Sequence, residues 1–582
     1  MNVEKPITTE PAAMQWGSDY LAAVIRQLDL RFIAINPGSS LRGLHDSLVN
    51  YLGNESPKLL LCLHEDHAIA IAHGYAKVTG KPMAAAVHSN VGLMHASMGI
   101  YNAWCDRVPM VVLGATGPVD AVERRPWIDW LHTARDQGSL VRHFIKWDDQ
   151  PASLPAAAES LVRARLIAET APRGPVYLCF DVSLQESKLS GPLEVPDPSM
   201  YSRPTPAYPE PRALRRVAQL LSEAKRPVIM AGRIGRDIRD WVRRIELAER
   251  LGATVVSDLK QGAAFPTDHP LHVAYSVGSR GMQVLREADV VMSLDWIDPA
   301  GTFKLLAERG APIKAPYVHC SPDQYSHNGW SMDHQALAAA HTHFLCEPEA
   351  LVDALLELDD EERIFPGRGK DQAGQPPSSR EPAAPVPPDA ELSIRVLAHV
   401  LREATRDVPV TLIRTPLGWS NDVWEYRHPL DFLGKDGGAG IGSGPGMAVG
   451  AALALKDSGR LPLAVLGDGD FMFSSSALWT AAHYRIPLLI VVANNQSYFN
   501  DEIHQERIAR QRHRPVENKG IAQRMTDPEI DISAIARGQG AIAYGPARNA
   551  GELAHAMRAA VARVRDGALC VIDARVLPGY ES

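Results

Sequence analysis

Residues 463–500, LAVLGDGDFMFSSSALWTAAHYRIPLLIVVANNQSYFN, decide how the rest of the chain is read. Residues 463–466 are a short apolar run that stops at Gly467-Asp468-Gly469. Over 474–484 apolar residues recur at helical spacing (Ala477, Leu478, Ala481, Ala482), and Pro487 opens a second apolar run ending at Ala493. Short runs buried on both faces belong to parallel sheets, and a helix between two of them makes a right-handed crossover. The pattern predicts strand, turn, helix, strand, with Asp468 and Asn495 at the carboxyl ends of neighbouring strands, where open α/β sheets bind ligands. A carboxylate and an amide oxygen meeting there are hard donors suited to a Mg²⁺ that also holds a phosphate. The glycines let backbone amides approach phosphate oxygens without an intervening Cβ.

Outward from that stretch the same alternation continues. After a polar arm, Ser18 is the expected cap of a helix carrying Leu21, Val24, Ile25 and Leu28 on one face. Strands are expected at 32–35, 59–63, 83–87, 109–113 and 176–180, with a helix over 67–78 closed by Gly80 and Pro82. This makes residues 15–190 a parallel α/β domain. A Pro- and Ser-rich linker follows, then a second α/β domain over 205–360, with strands at 227–231, 253–257, 289–294 and 317–319 and a helix over 237–251. Gly232-Arg233-Ile234-Gly235 resembles a fragment of a dinucleotide turn, which makes FAD or ADP a candidate ligand there; glycine pairs of this kind more often serve the chain alone. Residues 361–389, rich in Gly, Pro, Ser and Gln, read as a flexible linker, and Asp389 as the cap of the next helix. Residues 390–578 form the third domain. The fold class is therefore α/β, with three doubly wound parallel-sheet domains.

Composition removes several function classes. A chain of 582 residues with 45% hydrophobic and 22% charged residues is ordinary for a soluble globular protein. Its net charge of −8 gives no basic footprint, so no nucleic acid is expected as a partner. The N-terminal MNVEKPITTEPAAMQW lacks a signal pattern, and no apolar run approaches the roughly 18 residues of a membrane span. Cysteines 62, 105, 179, 320, 346 and 570 are scattered without a CxxC, as in the reduced thiols of a cytoplasmic protein. There is no GxxxxGK[ST] loop, which argues against a nucleotide hydrolase.

Gly467-Asp468-Gly469, a gap of 24 residues and Asn494-Asn495 together resemble the thiamine diphosphate motif of the superfamily of 2-oxo acid decarboxylases and carboligases. The resemblance implies that Asp468 and Asn495 ligate Mg²⁺ through their side chains and Ser497 through its carbonyl. Gly467, Asp468, Gly469 and Asp470 would lie along the diphosphate. Asp470 replaces the family's usual Ser and brings an extra carboxylate there. LLLCLHEDHAIAIAHGYAKVTGKP resembles the stretch holding the glutamate that activates the cofactor through its aminopyrimidine, which falls on Glu65. GGAGIGSGPGMAVGAAL resembles the segment that bends the cofactor, with Ile441 as the wedge and the Ala439 carbonyl as acceptor for the amino group. Read as residues alone, Glu65 also suits a dipole partner of the following helix, and 439–442 a Gly-rich turn.

On the substrate side, Asn36-Pro37-Gly38-Ser39, His88-Ser89 and SALWTAA (476–482) resemble the benzoylformate decarboxylases. That implies Ser39 holding the substrate carboxylate and His88 orienting it or moving protons; His132 and His504 are further histidines near the pocket. The implied reaction is non-oxidative decarboxylation of an aromatic or branched 2-oxo acid through a C2-ylide and an enamine, with carboligation as a second outcome. An acetolactate synthase-like carboligase stays open as an alternative. So does a benzaldehyde-lyase or 2-hydroxyacyl-CoA lyase acting on a 2-hydroxyacyl substrate, for which the Arg- and His-bearing residues 502–531 would form a lid. A cofactor-binding regulatory subunit would be expected to lack Glu65 or Asp468, and both are present. The resemblance further implies a homodimer or homotetramer, with Glu65 and Asp468 of one site on different chains.

Overall fold

In a computed structural model, which describes residues 4–7, 13–191, 193–274, 280–323, 337–365, 367, 385–419 and 423–579, the strands form three sheets. Most of the expected linker 361–389 lies outside the described residues. The first sheet holds β1 (Phe32–Ile35), β2 (Lys58–Leu61), β3 (Met83–Val87), β4 (Met110–Thr116), β5 (Asp148–Asp149) and β6 (Pro175–Asp181), in the order β2-β1-β3-β4-β6-β5. The second holds β7 (Pro227–Ala231), β8 (Thr254–Ser257), β9 (His272–Ala274), β10 (Val290–Leu294), β11 (Tyr317–Cys320) and β12 (Thr342–Phe344), in the order β12-β11-β10-β7-β8-β9. The third holds β13 (Val410–Arg414), β14 (Leu461–Gly467), β15 (Leu488–Asn494), β16 (Ile542–Ala547) and β17 (Leu569–Arg575), in the order β13-β14-β15-β17-β16. Neighbouring strands pair in parallel throughout, as buried Val/Ile/Leu runs joined by helices require.

The chain divides into two compact units. One contains the first and third sheets; the other is Pro204–Pro385 together with Trp424–Lys435. Within the first unit, helix α1 (Glu65–Thr79) follows β2 and helix α2 (Ser89–Cys105) follows β3 directly. Helix α3 (Gly444–Leu455) packs on α1 at backbone distance. A Cβ on Gly450 would lie 1.9 Å from the Ile71 carbonyl oxygen, and one on Gly74 2.1 Å from that of Met447. Only glycine permits that approach, and it fixes the Gly-rich segment before α3 relative to Glu65.

Several local expectations change. The first helix (Gly17–Gln27) is capped at Trp16, not Ser18: Asp19 Oδ2 accepts from the Gln15 and Trp16 N–H groups at 2.9 Å each. Ser393, not Asp389, caps the helix Ile394–Ala404, accepting from Val396 N–H at 3.2 Å. The expected helix over 474–484 is α4 (Ala477–His483), and an unexpected short helix, Asp468–Phe473, precedes it, so helical backbone begins inside the Gly-Asp-Gly motif. Residues 424–435, read as part of the third domain, pack in the middle unit. There Ala263 N–H bonds the Phe432 carbonyl, and Thr267 N–H that of Tyr426, at 2.9 Å each. In the candidate dinucleotide turn, the N–H groups of Gly232 and Arg233 bond the carbonyls of Leu294 and Asp295, and that of Gly235 bonds Glu349 Oε1 at 2.5 Å. Protein groups thus already occupy the amides a phosphate would need. Among the described residues no helix is long and apolar enough to cross a membrane.

Candidate active site

β14 and β15 run side by side with Gly467 opposite Ala493, which brings the two motif loops together. Asp468 is buried there. Its Oδ1 accepts from Gly469 N–H at 2.9 Å. Its Oδ2 is buried with no hydrogen-bond partner. Burial pushes the Asp468 carboxyl up to about 6, the amides only partly opposing it. The adjacent asparagines divide the work. Asn494 is structural, donating to Asp573 Oδ1 at 2.9 Å and accepting from Gln496 N–H at 3.1 Å. Asn495 Oδ1 accepts once, from Ser497 N–H at 3.0 Å, so one lone pair is left for a ligand. Gln496 holds φ at 58°, the left-handed turn that bends the loop back over Asp468.

The segment after this loop clamps it. Ser497 Oγ donates to the buried Glu502 Oε1 at 2.5 Å, and Arg524 grips both oxygens of Glu502 at 3.0 Å each. Tyr498 N–H bonds the Gln523 carbonyl (3.0 Å) and Met525 N–H that of Gln496 (2.8 Å). Helix α5 (Phe499–Gln511) carries Glu502 on its buried side, while His504 and Arg507 sit on its solvent-facing part.

Asp470, a candidate contact of the diphosphate, is turned to another use. Its Oδ1 accepts from Gly442 N–H at 2.6 Å, and its Oδ2 lies 2.9 Å from Arg414 Nε. Arg414, buried, also reaches Asp436 Oδ2 at 2.7 Å, and these two carboxylates hold its guanidinium charged. Asp436 in turn accepts from Ser443 Oγ at 2.9 Å. The extra carboxylate is thus paired inside the protein and anchors the segment with Ala439 (φ 51°) and Gly442 (φ 115°). Ile441 between them is 44% exposed, an apolar side chain with no core to fill.

Glu65 is the first residue of α1, after a loop from β2 rather than at the strand end, and it is buried. His64 caps the helix through Nδ1, which accepts from Asp66 N–H at 3.1 Å. Nδ1 of His95, one turn into α2, lies 3.1 Å from Glu65 Oε2, and the His64 and His95 rings stack with centroids 4.9 Å apart. A Cβ on Gly92 would come within 3.1 Å of Glu65 Oε1, so the start of α2 must be bare to admit the carboxyl. His95 carries no sequence signal of its own; only the packing of α2 along α1 brings it to Glu65.

The 36–40 loop lies across His88. A Cβ on Gly38 would be 2.1 Å from His88 Cγ, so glycine is required there for contact rather than for its φ. Ser40, not Ser39, bonds the imidazole, at 2.8 Å to Nδ1. The Ser39 hydroxyl, half-buried, has no hydrogen-bond partner among the described residues. Burial and neighbouring His132 lower the His88 pKa, against a smaller opposing effect of Glu65. His132, 3.1 Å from His88 Nε2, belongs to this cluster; His504 lies on α5.

The donor set fits a divalent cation with a diphosphate. Asp468 offers an unpartnered buried oxygen, Asn495 a free lone pair, and the position of a Cβ on Gly467 faces open space. Family models for thiamine pyrophosphate enzymes match in chain order: the N-terminal TPP binding domain over 15–140, the central domain over 214–326, and the C-terminal TPP binding domain over 415–574. The chain belongs to the thiamine pyrophosphate (thiamine diphosphate) enzymes. Among its relatives, benzoylformate decarboxylase of Pseudomonas aeruginosa is 26% identical over 561 residues, covering 92% of this chain and 95% of the relative. The acetolactate synthase isozyme 1 large subunit of Escherichia coli is 24% identical, covering 84% and 83%. The crystal structure of benzoylformate decarboxylase from Polynucleobacter necessarius shares the fold with a TM-score of 0.78 at 21% identity, covering 98% of this chain and all of that one.

Proposed function

We propose that this protein is a thiamine diphosphate- and Mg²⁺-dependent decarboxylase of a 2-oxo acid, aromatic or branched at its side chain, that releases an aldehyde. Bound thiamine diphosphate supplies a nucleophilic carbon and a cationic ring that accepts the electrons left behind by carbon dioxide. Asp468 and Asn495 hold Mg²⁺ through their side chains and Ser497 through its carbonyl, while Gly467 and Gly469 admit the diphosphate. Glu65 holds a proton at a ring nitrogen of the cofactor, with His95 orienting its carboxyl. Ile441 would pack against the cofactor and the Ala439 carbonyl would accept from its amino group. Ser39 receives the substrate carboxylate, and His88 with its partners orients the reacting end. The observation that carries this reading is the buried Asp468 Oδ2, left without a partner at a strand tip where two loops deliver oxygen donors.

The acetolactate synthase relatives favour carboligation as the second reading. We propose a homodimer or homotetramer in which the site is completed by a second chain. Supporting this, the apolar side chains of Leu63, Met94, Met98, Ile441 and Phe473 stand exposed on segments that carry the site. All six cysteines are free, in keeping with a reducing cytoplasm. Aromatic, branched and short 2-oxo acids and 2-hydroxyacyl-CoA thioesters, assayed with separate detection of carbon dioxide, aldehyde and acyloin, test the reading. Carbon dioxide with aldehyde from an aromatic or branched acid is expected, and cleavage of a thioester without carbon dioxide contradicts it. Glu65→Gln should keep Mg²⁺ and cofactor binding while kcat falls about 10²- to 10⁴-fold.

A further inference from the structure

Both ring nitrogens of His88 are engaged inside the protein. Ser40 directs its hydroxyl (2.8 Å) and its backbone N–H (3.4 Å) at Nδ1, and Nε2 lies 3.1 Å from Nδ1 of His132. The two rings meet edge to face, centroids 4.9 Å apart at 79°. A backbone N–H can only donate, so Nδ1 of His88 is the acceptor and the ring proton sits on Nε2. That proton is given to Nδ1 of His132, which places the proton of His132 on its own Nε2. Among the described residues Nε2 of His132 has no hydrogen-bond partner, and the ring is half-buried. Its backbone is tied down: the Ser89 hydroxyl bonds the His132 carbonyl, and Asn90 Nδ2 bonds that of Leu131 at 3.1 Å. The end of this hydrogen-bond chain is therefore a donor of fixed direction beside the candidate site.

We infer that His132, rather than His88, is the imidazole that meets the substrate, its Nε2–H donating to an oxygen of a 2-oxo acid anion. His88 is then a positioning residue, and Ser40 the group that sets its tautomer. This rests on the reading above of a 2-oxo acid as substrate, and it moves the role from the histidine that follows β3 to one in the 128–133 segment. A neutral imidazole held this way polarises or anchors an oxygen without itself changing protonation.

The test combines histidine-labelled NMR with steady-state kinetics on the holoenzyme. In the wild type, His88 should be the Nε2–H tautomer, and the His132 Nε2–H resonance should shift when benzoylformate saturates the Glu65→Gln holoenzyme, which binds without rapid turnover. His132→Asn should raise KM about 10- to 100-fold with a smaller change in kcat, as loss of a hydrogen bond to a charged group predicts. His132→Gln, whose longer side chain carries its donating amide nearer the position of Nε2 than that of Asn, should recover part of it. Ser40→Ala should leave His88 a mixture of tautomers and raise KM less. An Nδ1–H tautomer at His88, an unmoved His132 resonance, or an unchanged KM in His132→Asn overturns the inference. If the wild type decarboxylates no 2-oxo acid, the activity reading fails on its own, while the tautomer and the benzoylformate-dependent shift still decide the role of His132.

Discussion

Asp66, the neighbour of Glu65, shows how the candidate site burdens the fold. Burial, with Asp470 and Asp436 adding to it, pushes its carboxyl up to about 6, and the Gly99 N–H opposes the shift. Between the ordinary value of 3.8 and about 6 the folded chain binds a proton that the unfolded chain lacks. Stability from this group is therefore present at low pH and lost as pH rises through that window, by about 3 kcal/mol. Asp66→Asn keeps an acceptor for Gly99 and removes the titration. Denaturant unfolding at stepped pH should show the variant gaining on the wild type between about pH 4 and 6 and holding constant above; a pH-independent difference contradicts the assignment. At this scale the sequence was most informative where chemistry demands one residue type. Asp468, Asn495 and Glu65 could be singled out because the proposed oxygen cage and activating carboxyl would leave few substitutes. His95, Ser40 and the Arg414–Asp470 pair were not, because each acquires its partner only when distant segments pack.

Among the elements, the clamp behind the proposed metal loop carries the most testable consequence. Arg524 holds Glu502 bidentately and Glu502 holds the Ser497 hydroxyl, so Ser497 is fixed through a relay of three charge-assisted bonds. Arg524→Ala should loosen the loop and weaken apparent Mg²⁺ affinity about 10- to 100-fold, as loss of outer-shell support does, with little effect on global unfolding. Equal affinity in the variant would make the clamp a surface ion pair only. The inner apolar runs of the sheets were legible, β7 to the residue, whereas β5, β9, β12, β13, β16 and β17 were not picked out. Helix starts were less so. Ser18 and Asp389 have the right chemistry for caps, yet Asp19 and Ser393 are the residues whose side chains reach free N–H groups. Gly-Asp-Gly reads as a turn, but burial of Phe471 continues it as helix. The excursion of 424–435 into the middle unit has no local signal, since its hydrogen bonds to that unit run to residues 159 to 197 positions away.

For the whole molecule, the proposed sharing of each site between two chains makes a numerical prediction. Glu65→Gln and Asp468→Ala chains, each inactive alone, should recover activity when unfolded together and reassembled. In a mixed dimer one site receives both defects and the other neither, so random pairing restores about a quarter of wild-type activity. If one chain built each site alone, the mixture would stay inactive.

Cofactor binding is the most direct property of the proposed site to measure. Calorimetric titration of thiamine diphosphate into the purified chain with Mg²⁺ should show one binding event per chain, abolished by chelating the metal and by Asp468→Ala, with Glu65→Gln still binding. Binding that ignores both the metal and Asp468, or no binding at all to the wild-type chain, would contradict it.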